Sequence, residues 1–162
     1  MPRYGVDDMG DQFVADKEAI VHTMVDDTDA NVTKTQLGGH LVLSIADGVD
    51  ASLVFNVNVP YDYRRLTSAI LRVGSVATGT MRWGVVTVYG GCGENIAAKT
   101  ENIAATDTAI TATLTACLDL APALTGISAE DNVGITFTRY GAHINDTLGN
   151  ILTVLSFTLR YD

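Results

Sequence analysis

Residues 53–59 read LVFNVNV and are followed by Pro60. Four apolar side chains fall on one face (Leu53, Phe55, Val57 and Val59), and the two asparagines fall on the other. A period of two is typical of a β-strand that has one face in the protein core and one face in solvent. The stretch therefore predicts an antiparallel strand of a sheet that is covered on one side only.

Similar alternation recurs along the chain, separated by turn-forming residues such as Asp47-Gly48 and the glycine cluster at 90–93. Further strands are predicted at Ile20–Val25, Leu41–Ile45, Leu66–Val76, Met81–Tyr89, Ile110–Leu120, Val133–Phe137 and Ile151–Tyr161. The last of these is apolar on both faces in its first half, which favours a central place in its sheet. Only residues 121–125 favour a short helical turn. We therefore predict an all-β fold, an antiparallel β-sandwich of jelly-roll type with eight to nine strands.

The length and composition agree with one globular domain. The chain has 162 residues, of which 47% are hydrophobic and 18% are charged. No apolar run approaches the ~20 residues that a membrane-spanning helix needs, and the first residues do not resemble a secretory signal. Residues 1–18 show little periodicity, so we predict an extended N-terminal arm over 1–18 and the sandwich domain over 19–162.

The charge is strongly acidic and unevenly distributed. The formal net charge is −9, and residues 1–31 hold eight of the nineteen acidic side chains but only two of the ten basic ones. An acidic surface repels phosphate backbones, so the sequence argues against nucleic acid as a partner, and no feature indicates a membrane partner. The acidic arm is the part of the chain suited to a basic protein surface.

The residue types that usually carry catalysis or bind metals do not form a recognisable motif. His22, His40 and His143 lack metal-ligand spacing, and the four glutamates show no paired arrangement for glycoside hydrolysis. Residues 27–31 (DTDAN) resemble the start of a calcium loop but lack its later ligands, so a solvated acidic turn is favoured. We expect no enzyme activity, no catalytic residues, no metal site and no cofactor.

The cysteines leave two alternatives open, and the single tryptophan is expected in the core. Cys92 and Cys117 are the two cysteines; two free thiols are expected, with a disulfide as the alternative. Trp83 is in register with apolar neighbours, which favours a core position.

Three regions carry a resemblance to a jelly-roll module of tailed-bacteriophage structural proteins. The first runs from VPYDY at 59–63 to MRWGV at 81–85, and the second is TDTAITAT at 106–113. The third is the closing block, LTGISAEDNVGITFTR at 124–139, with DTLGN at 146–150 and VLSFTLRY at 154–161.

This resemblance implies a non-enzymatic virion protein, a capsid decoration or cement protein that bridges capsomers on the outer capsid surface. It also implies a homotrimer, a major capsid protein as partner, and assembly in the bacterial host cytoplasm. The residues expected to contact the capsid or a neighbouring subunit are Arg3, Tyr4, Asp7, Asp8, Asp11 and Phe13.

The alternative function is a receptor- or glycan-binding tip domain of a phage tail or head fibre. Sugar rings stack on aromatic side chains, so the glycan contacts expected under this alternative are Tyr61, Tyr63 and Tyr140. Convergence of these tyrosines on one exposed surface would favour glycan binding, and burial between subunits would favour the cement function.

Overall fold

The structure is a computed structural model that describes residues 17–21, 29–37 and 40–162. Within these ranges the chain forms ten strands and one 3-10 helix, Ala121–Ala123. The strands are β1 (Lys17–Val21), β2 (Val32–Leu37), β3 (His40–Ile45), β4 (Asp50–Asn58), β5 (Leu66–Gly74), β6 (Gly79–Gly90), β7 (Lys99–Ile110), β8 (Thr115–Asp119), β9 (Asn132–Tyr140) and β10 (Leu152–Tyr161).

The strands form two antiparallel sheets of a jelly-roll β-sandwich. The six-stranded sheet has the order β2-β3-β10-β5-β8, and β1 also pairs with β10. The four-stranded sheet has the order β4-β9-β6-β7. β10 pairs with β5 along one edge and with β3 and β1 along the other, so its predicted central position is confirmed.

The core lies between the two sheets and is built by alternate side chains of each strand. In β4 every second residue from Ala51 to Val57 is buried, as the opening alternation predicts. The rings of Phe55 in the four-stranded sheet and Phe157 in the six-stranded sheet are 5.1 Å apart between centroids, and they join the two layers. Burial of such large apolar side chains is the main favourable contribution to folding.

Trp83 belongs to this core, as its register predicts. The indole stacks on Phe137 at a centroid distance of 5.9 Å, and its Nε1–H donates to Thr108 Oγ1 at 2.9 Å. Because the buried N–H is hydrogen-bonded, the ring can fill the core without leaving an unsatisfied donor.

A fully buried arginine closes one end of the sandwich. Arg139, near the end of β9, donates to both carboxylate oxygens of Asp146 (3.1 and 2.9 Å) and to Asp47 (3.0 Å). It also donates to three backbone carbonyl groups, those of Ala46, Leu148 and Asn150. The guanidinium thereby fastens β9 to the β3–β4 turn and to residues 146–150.

The strand predictions agree with the structure at most positions, but one predicted strand is wrong and two observed strands were not predicted. The alternation at 110–120 predicts one strand, but the chain turns at residues 111–114. Thr113 adopts a positive φ of 65° there, and β7 ends in the four-stranded sheet while β8 begins in the six-stranded one. The alternation of threonine and apolar residues continues through the turn, so the sequence pattern does not show that the chain passes from one sheet to the other. The strands β2 and β7 were not predicted, because most of their side chains are exposed.

The N-terminal region is described only in part. β1 begins at Lys17, and residues 1–16 lie outside the described residues, as does most of the strand predicted at 20–25. The boundary at residue 18 therefore stays a prediction. In the described part of the chain, no helix is long and apolar enough to cross a membrane.

Candidate functional site

An open groove of about 480 Å³ lies on the outer face of the four-stranded sheet. Its floor includes Asn56, Asn58, Asn132 and Gly134, and its wall is formed by the chain from Gly91 to Ile96. We call this feature the asparagine groove. Its volume is within the ~300–1,000 Å³ that ligand-binding pockets commonly have.

Strand register brings the three asparagines together. Asn58 on β4 pairs with Asn132 on β9, which pairs with Gly90 on β6. Two residues further along, Asn56 pairs with Gly134, which pairs with Val88 in the same way. Because side chains alternate between the faces of a strand, all of these positions face away from the core.

The amides of Asn56, Asn58 and Asn132 are exposed, and no group in the described residues hydrogen-bonds to them. Each amide carries two N–H donors and one carbonyl acceptor. Gly134 lies between Asn56 and Val88, where an added Cβ would be 3.2 Å from a Val88 methyl group. The absence of a side chain at this position keeps the floor between the asparagines low.

The wall of the groove is a tight loop held by its own hydrogen bonds. Gly91 N–H donates to Glu94 Oε2 at 3.1 Å, and Ala97 N–H donates to Asn95 Oδ1 at 3.0 Å. A Cβ at Gly90 would overlap the carbonyl oxygen of Asn95, so glycine allows the loop to lie directly against the end of β6. Ile96 lines the groove, and 88% of its surface is exposed to solvent.

Glu130 is a second carboxylate in the lining of the groove, in addition to that of Glu94. Its backbone has a positive φ of 66°, and its N–H donates to the Val59 carbonyl at 3.0 Å. The next residue, Asp131, is buried and accepts a hydrogen bond from Ser128 N–H at 2.7 Å. The turn that contains Glu130 is therefore held by hydrogen bonds to Val59 and within residues 128–131.

A hydrogen-bonded cluster anchors the sheet beside the groove. Glu101 on β7 accepts hydrogen bonds from the backbone N–H and the hydroxyl of Thr125. Burial acts to raise the pKa of Glu101, but the bonds from Thr125, Gly126 and Tyr89 outweigh it and hold the pKa below its ordinary value. Burial, followed by the neighbouring Glu101 charge, raises the pKa of Tyr89.

The three tyrosines expected to contact a glycan do not converge. Tyr61 is 81% exposed in the turn after β4, whereas Tyr63 is half-buried against Tyr161 with ring centroids 5.9 Å apart. Burial raises the pKa of Tyr63. Tyr140 pairs with Asp50 at the other end of β4, and Asp50 lies about 26 Å along the strand from Asn58. Tyr61 lies at the same end of the sheet as the asparagine groove but does not line it.

Other residues considered from the sequence take structural or exposed positions. Asp29 accepts hydrogen bonds from Asn31 and from Ser52 N–H, which lower its pKa, so its oxygens stabilise a turn. Cys92 and Cys117 are exposed and free, and His143 lies in an exposed turn. Asp27, Thr28 and His22 lie outside the described residues. No group of three or more metal-ligating side chains occurs within the described ranges.

The expected capsid contacts Arg3, Tyr4, Asp7, Asp8, Asp11 and Phe13 also lie outside the described residues. They stay a prediction, as do the homotrimer, the capsid partner and the location on a virion.

Comparison with known proteins identifies similar β-sandwiches among solved structures. No protein-family model matches the sequence, and no curated protein matches it. TmCBM61 in complex with β-1,4-galactotriose has a TM-score of 0.48 at 8% identity, with 93% of this chain and 90% of that chain covered. The family 11 carbohydrate-binding module of the Clostridium thermocellum cellulase Lic26A-Cel5E has a TM-score of 0.45 at 11% identity, with coverages of 91% and 82%.

A third similar structure is Arthrobacter globiformis T6 isomalto-dextranase complexed with panose. Its TM-score is 0.44 at 16% identity, and the match covers 79% of this chain but only 20% of that one. At these identities the likeness concerns the sandwich architecture alone and carries no argument about ligands. Nothing in these comparisons indicates a bacteriophage origin.

The sequence did not indicate the asparagine groove. Asn56 and Asn58 were predicted only as the solvent face of a strand, and Asn132 lies 74 positions beyond Asn58 in the sequence. The one available signal was that asparagine is unfavourable in strands, so three in outward strand positions need an explanation.

Proposed function

We propose that this chain is a non-catalytic glycan-binding module and that the asparagine groove holds its ligand. The observation that carries the proposal is the row of exposed asparagine amides, side by side on the floor of an open groove, with no described protein partner.

Amide side chains suit hydroxyl-rich ligands for a chemical reason. A sugar hydroxyl is both a donor and an acceptor, and an asparagine amide offers both functions within one rigid plane. Adjacent hydroxyls on a sugar ring can therefore bond to one amide or to two neighbouring amides. Asn58 and Asn132, which are paired across β4 and β9, present two such amides together.

Apolar contacts in this groove come from aliphatic side chains. Val88 lies on the floor and Ile96 at the rim, so the C–H faces of a sugar ring have an apolar surface to lie against. Under this proposal the ligand contacts come from residues of the asparagine groove and not from Tyr61, Tyr63 and Tyr140.

The charge around the groove favours neutral sugars. Glu94 and Glu130 both line it, and no lysine or arginine does. With a chain charge of −9, acidic or sulfated polysaccharides would be repelled. We therefore expect neutral oligosaccharides to bind and polyanionic ones to be excluded.

Isothermal titration calorimetry against a panel of neutral and acidic oligosaccharides tests this function. Asn132→Ala should weaken binding of a neutral ligand by about tenfold, because one amide makes one or two hydrogen bonds. Asn102→Ala is the matched control, since Asn102 is an exposed asparagine on β7 outside the groove. The proposal fails if no neutral glycan binds, or if the two variants weaken binding equally.

A parallel assay with undecorated phage capsids separates this function from capsid decoration. The glycan-binding proposal predicts no stoichiometric binding to capsids. Saturable capsid binding that Asn132→Ala leaves unchanged would contradict it and favour the decoration function.

A further inference from the structure

A second groove, on the outer face of the other sheet, has a different chemistry. It has a volume of about 340 Å³ and crosses the six-stranded sheet from β2 to β8. Its walls include Val76, Leu114, Ile151 and Leu155, and its lining also contains Ser44. We call it the apolar groove; it lies on the opposite sheet from the asparagine groove.

Three loop segments bring the apolar side chains together. Val76 follows β5, Leu114 precedes β8 and Ile151 precedes β10, and these three strands are neighbours in the sheet. The loops are fixed to one another, because Thr113 N–H donates to the Ser75 carbonyl and Ser75 Oγ donates to the Ile151 carbonyl, both at 2.9 Å. These hydrogen bonds hold the three loop segments of the groove against one another.

The exposure of the wall residues is unusual. Val76, Leu114 and Ile151 are 63%, 60% and 45% exposed, and they are three of seven large apolar side chains exposed in the described ranges. Single exposed apolar residues are ordinary, but a group of them around a concavity marks a place where apolar surface can be buried on binding.

The second observation is an unsatisfied hydroxyl in the lining. Ser44 is 5% exposed, and its Oγ is the one buried side-chain polar atom without a hydrogen-bond partner in the described part of the chain. It lies on β3 between Thr33 and Thr153 of the adjacent strands. A buried hydroxyl without a partner is unfavourable, so a ligand that hydrogen-bonds to it gains affinity.

We propose that the apolar groove binds a small uncharged molecule that has an apolar body and one hydroxyl or carbonyl group. The body contacts Val76, Leu114 and Ile151, and the polar group bonds to Ser44 Oγ. No charged side chain lines the groove, although the chain carries a net charge of −9, so a charged ligand would find no counter-charge there. A small molecule fits the groove because its volume of about 340 Å³ is within the ~300–1,000 Å³ common for small-molecule pockets.

Protein-observed NMR titration with 1-hexanol tests this proposal, with hexanoate and glucose as comparison ligands. We expect 1-hexanol to shift the amide resonances of residues around Ser44, Leu114 and Ile151 in a saturable way. Hexanoate should bind at least about tenfold more weakly because transfer of a carboxylate into an uncharged groove is unfavourable. Glucose should leave these resonances unchanged, which separates this site from the asparagine groove.

Variants identify the contacts. Ser44→Ala should weaken 1-hexanol binding by about three- to tenfold, the effect of one neutral hydrogen bond. Leu114→Ala should weaken it by about threefold or more through lost apolar contact. Ser68→Ala, on β5 outside the groove, and Ile144→Ala, in an exposed turn, are the matched controls.

Three outcomes would overturn the proposal. One is the absence of saturable shifts up to the solubility limit of 1-hexanol. Another is equal binding to the wild type, Ser44→Ala and Leu114→Ala. The third is self-association in sedimentation experiments that Leu114→Asp abolishes, since the groove would then be an interface between copies of this chain.

Discussion

Asp146→Asn is the substitution that tests the arginine cluster most directly. Four N–H groups point at the two oxygens of Asp146, two from the Arg139 guanidinium and one each from the backbones of Arg82 and Leu148. Asparagine keeps the shape but has one acceptor oxygen, so its NH₂ group would face donors. It also removes the charge that compensates a fully buried guanidinium.

The expected destabilisation is about 3 kcal/mol. Removing one partner of a buried ion pair typically costs about 3–5 kcal/mol. We expect the lower end because Asp47, whose carboxylate is partly exposed, stays 3.0 Å from the guanidinium. For a domain of this size, such a loss lowers Tm by about 6–12 °C.

Urea unfolding followed by tryptophan fluorescence measures the effect, and calorimetry gives the Tm. Asp107→Asn is the control, because Asp107 forms an ion pair with Arg82 at 2.8 Å in a more exposed position. Such pairs contribute less than about 1 kcal/mol. If both variants lose the same stability, the argument from burial is wrong.

Three further predictions follow from single contacts. Burial acts to raise the pKa of Asp146, but the hydrogen bonds from Arg139 and Arg82 hold this pKa below the ordinary value of 3.8. The stability that the Asp146 carboxylate contributes is therefore complete above pH 3.8, and it is lost as the pH falls through the pKa of the folded state. Acid titration of urea unfolding should show this loss in the wild type and a flatter profile in Asp146→Asn, and equal profiles would contradict the assignment. Thr108→Val should cost about 1–3 kcal/mol in urea unfolding, since it leaves the Trp83 indole N–H unpaired; an unchanged stability would refute this. Gly90→Ala should displace the groove wall and reduce glycan affinity in calorimetry while the protein stays folded by circular dichroism; retained affinity would exclude the wall from binding.

Elements with one buried face were predictable because local alternation reports burial directly. The buried positions of β4, from Leu53 to Val57, follow the sequence pattern residue by residue. The fully exposed stretches of β7 gave no such signal, and the turn at Thr113 was hidden because threonine and alanine alternate through it. Periodicity describes which side of the backbone is buried and contains no information on which sheet the strand joins.

The sites were less predictable than the fold. Tyr61, Tyr63 and Tyr140 were reasonable aromatic candidates by residue type, but register places Tyr140 at the far end of β4 from the other two. Arg139 and Asp146 carried no signal as a pair, because the partner of a charged residue depends on loop geometry. Ser44 became notable only when its burial and missing hydrogen bond were known.

The sequence by itself determined the all-β sandwich, the central final strand and the acidic character of the chain. These properties follow from composition and from the two-residue period, which are local. The tertiary structure decided that Asn56, Asn58 and Asn132 line one groove and that Val76, Leu114 and Ile151 surround another. Such groupings join residues tens of positions apart, and only the pairing of strands and the paths of loops bring them within contact distance.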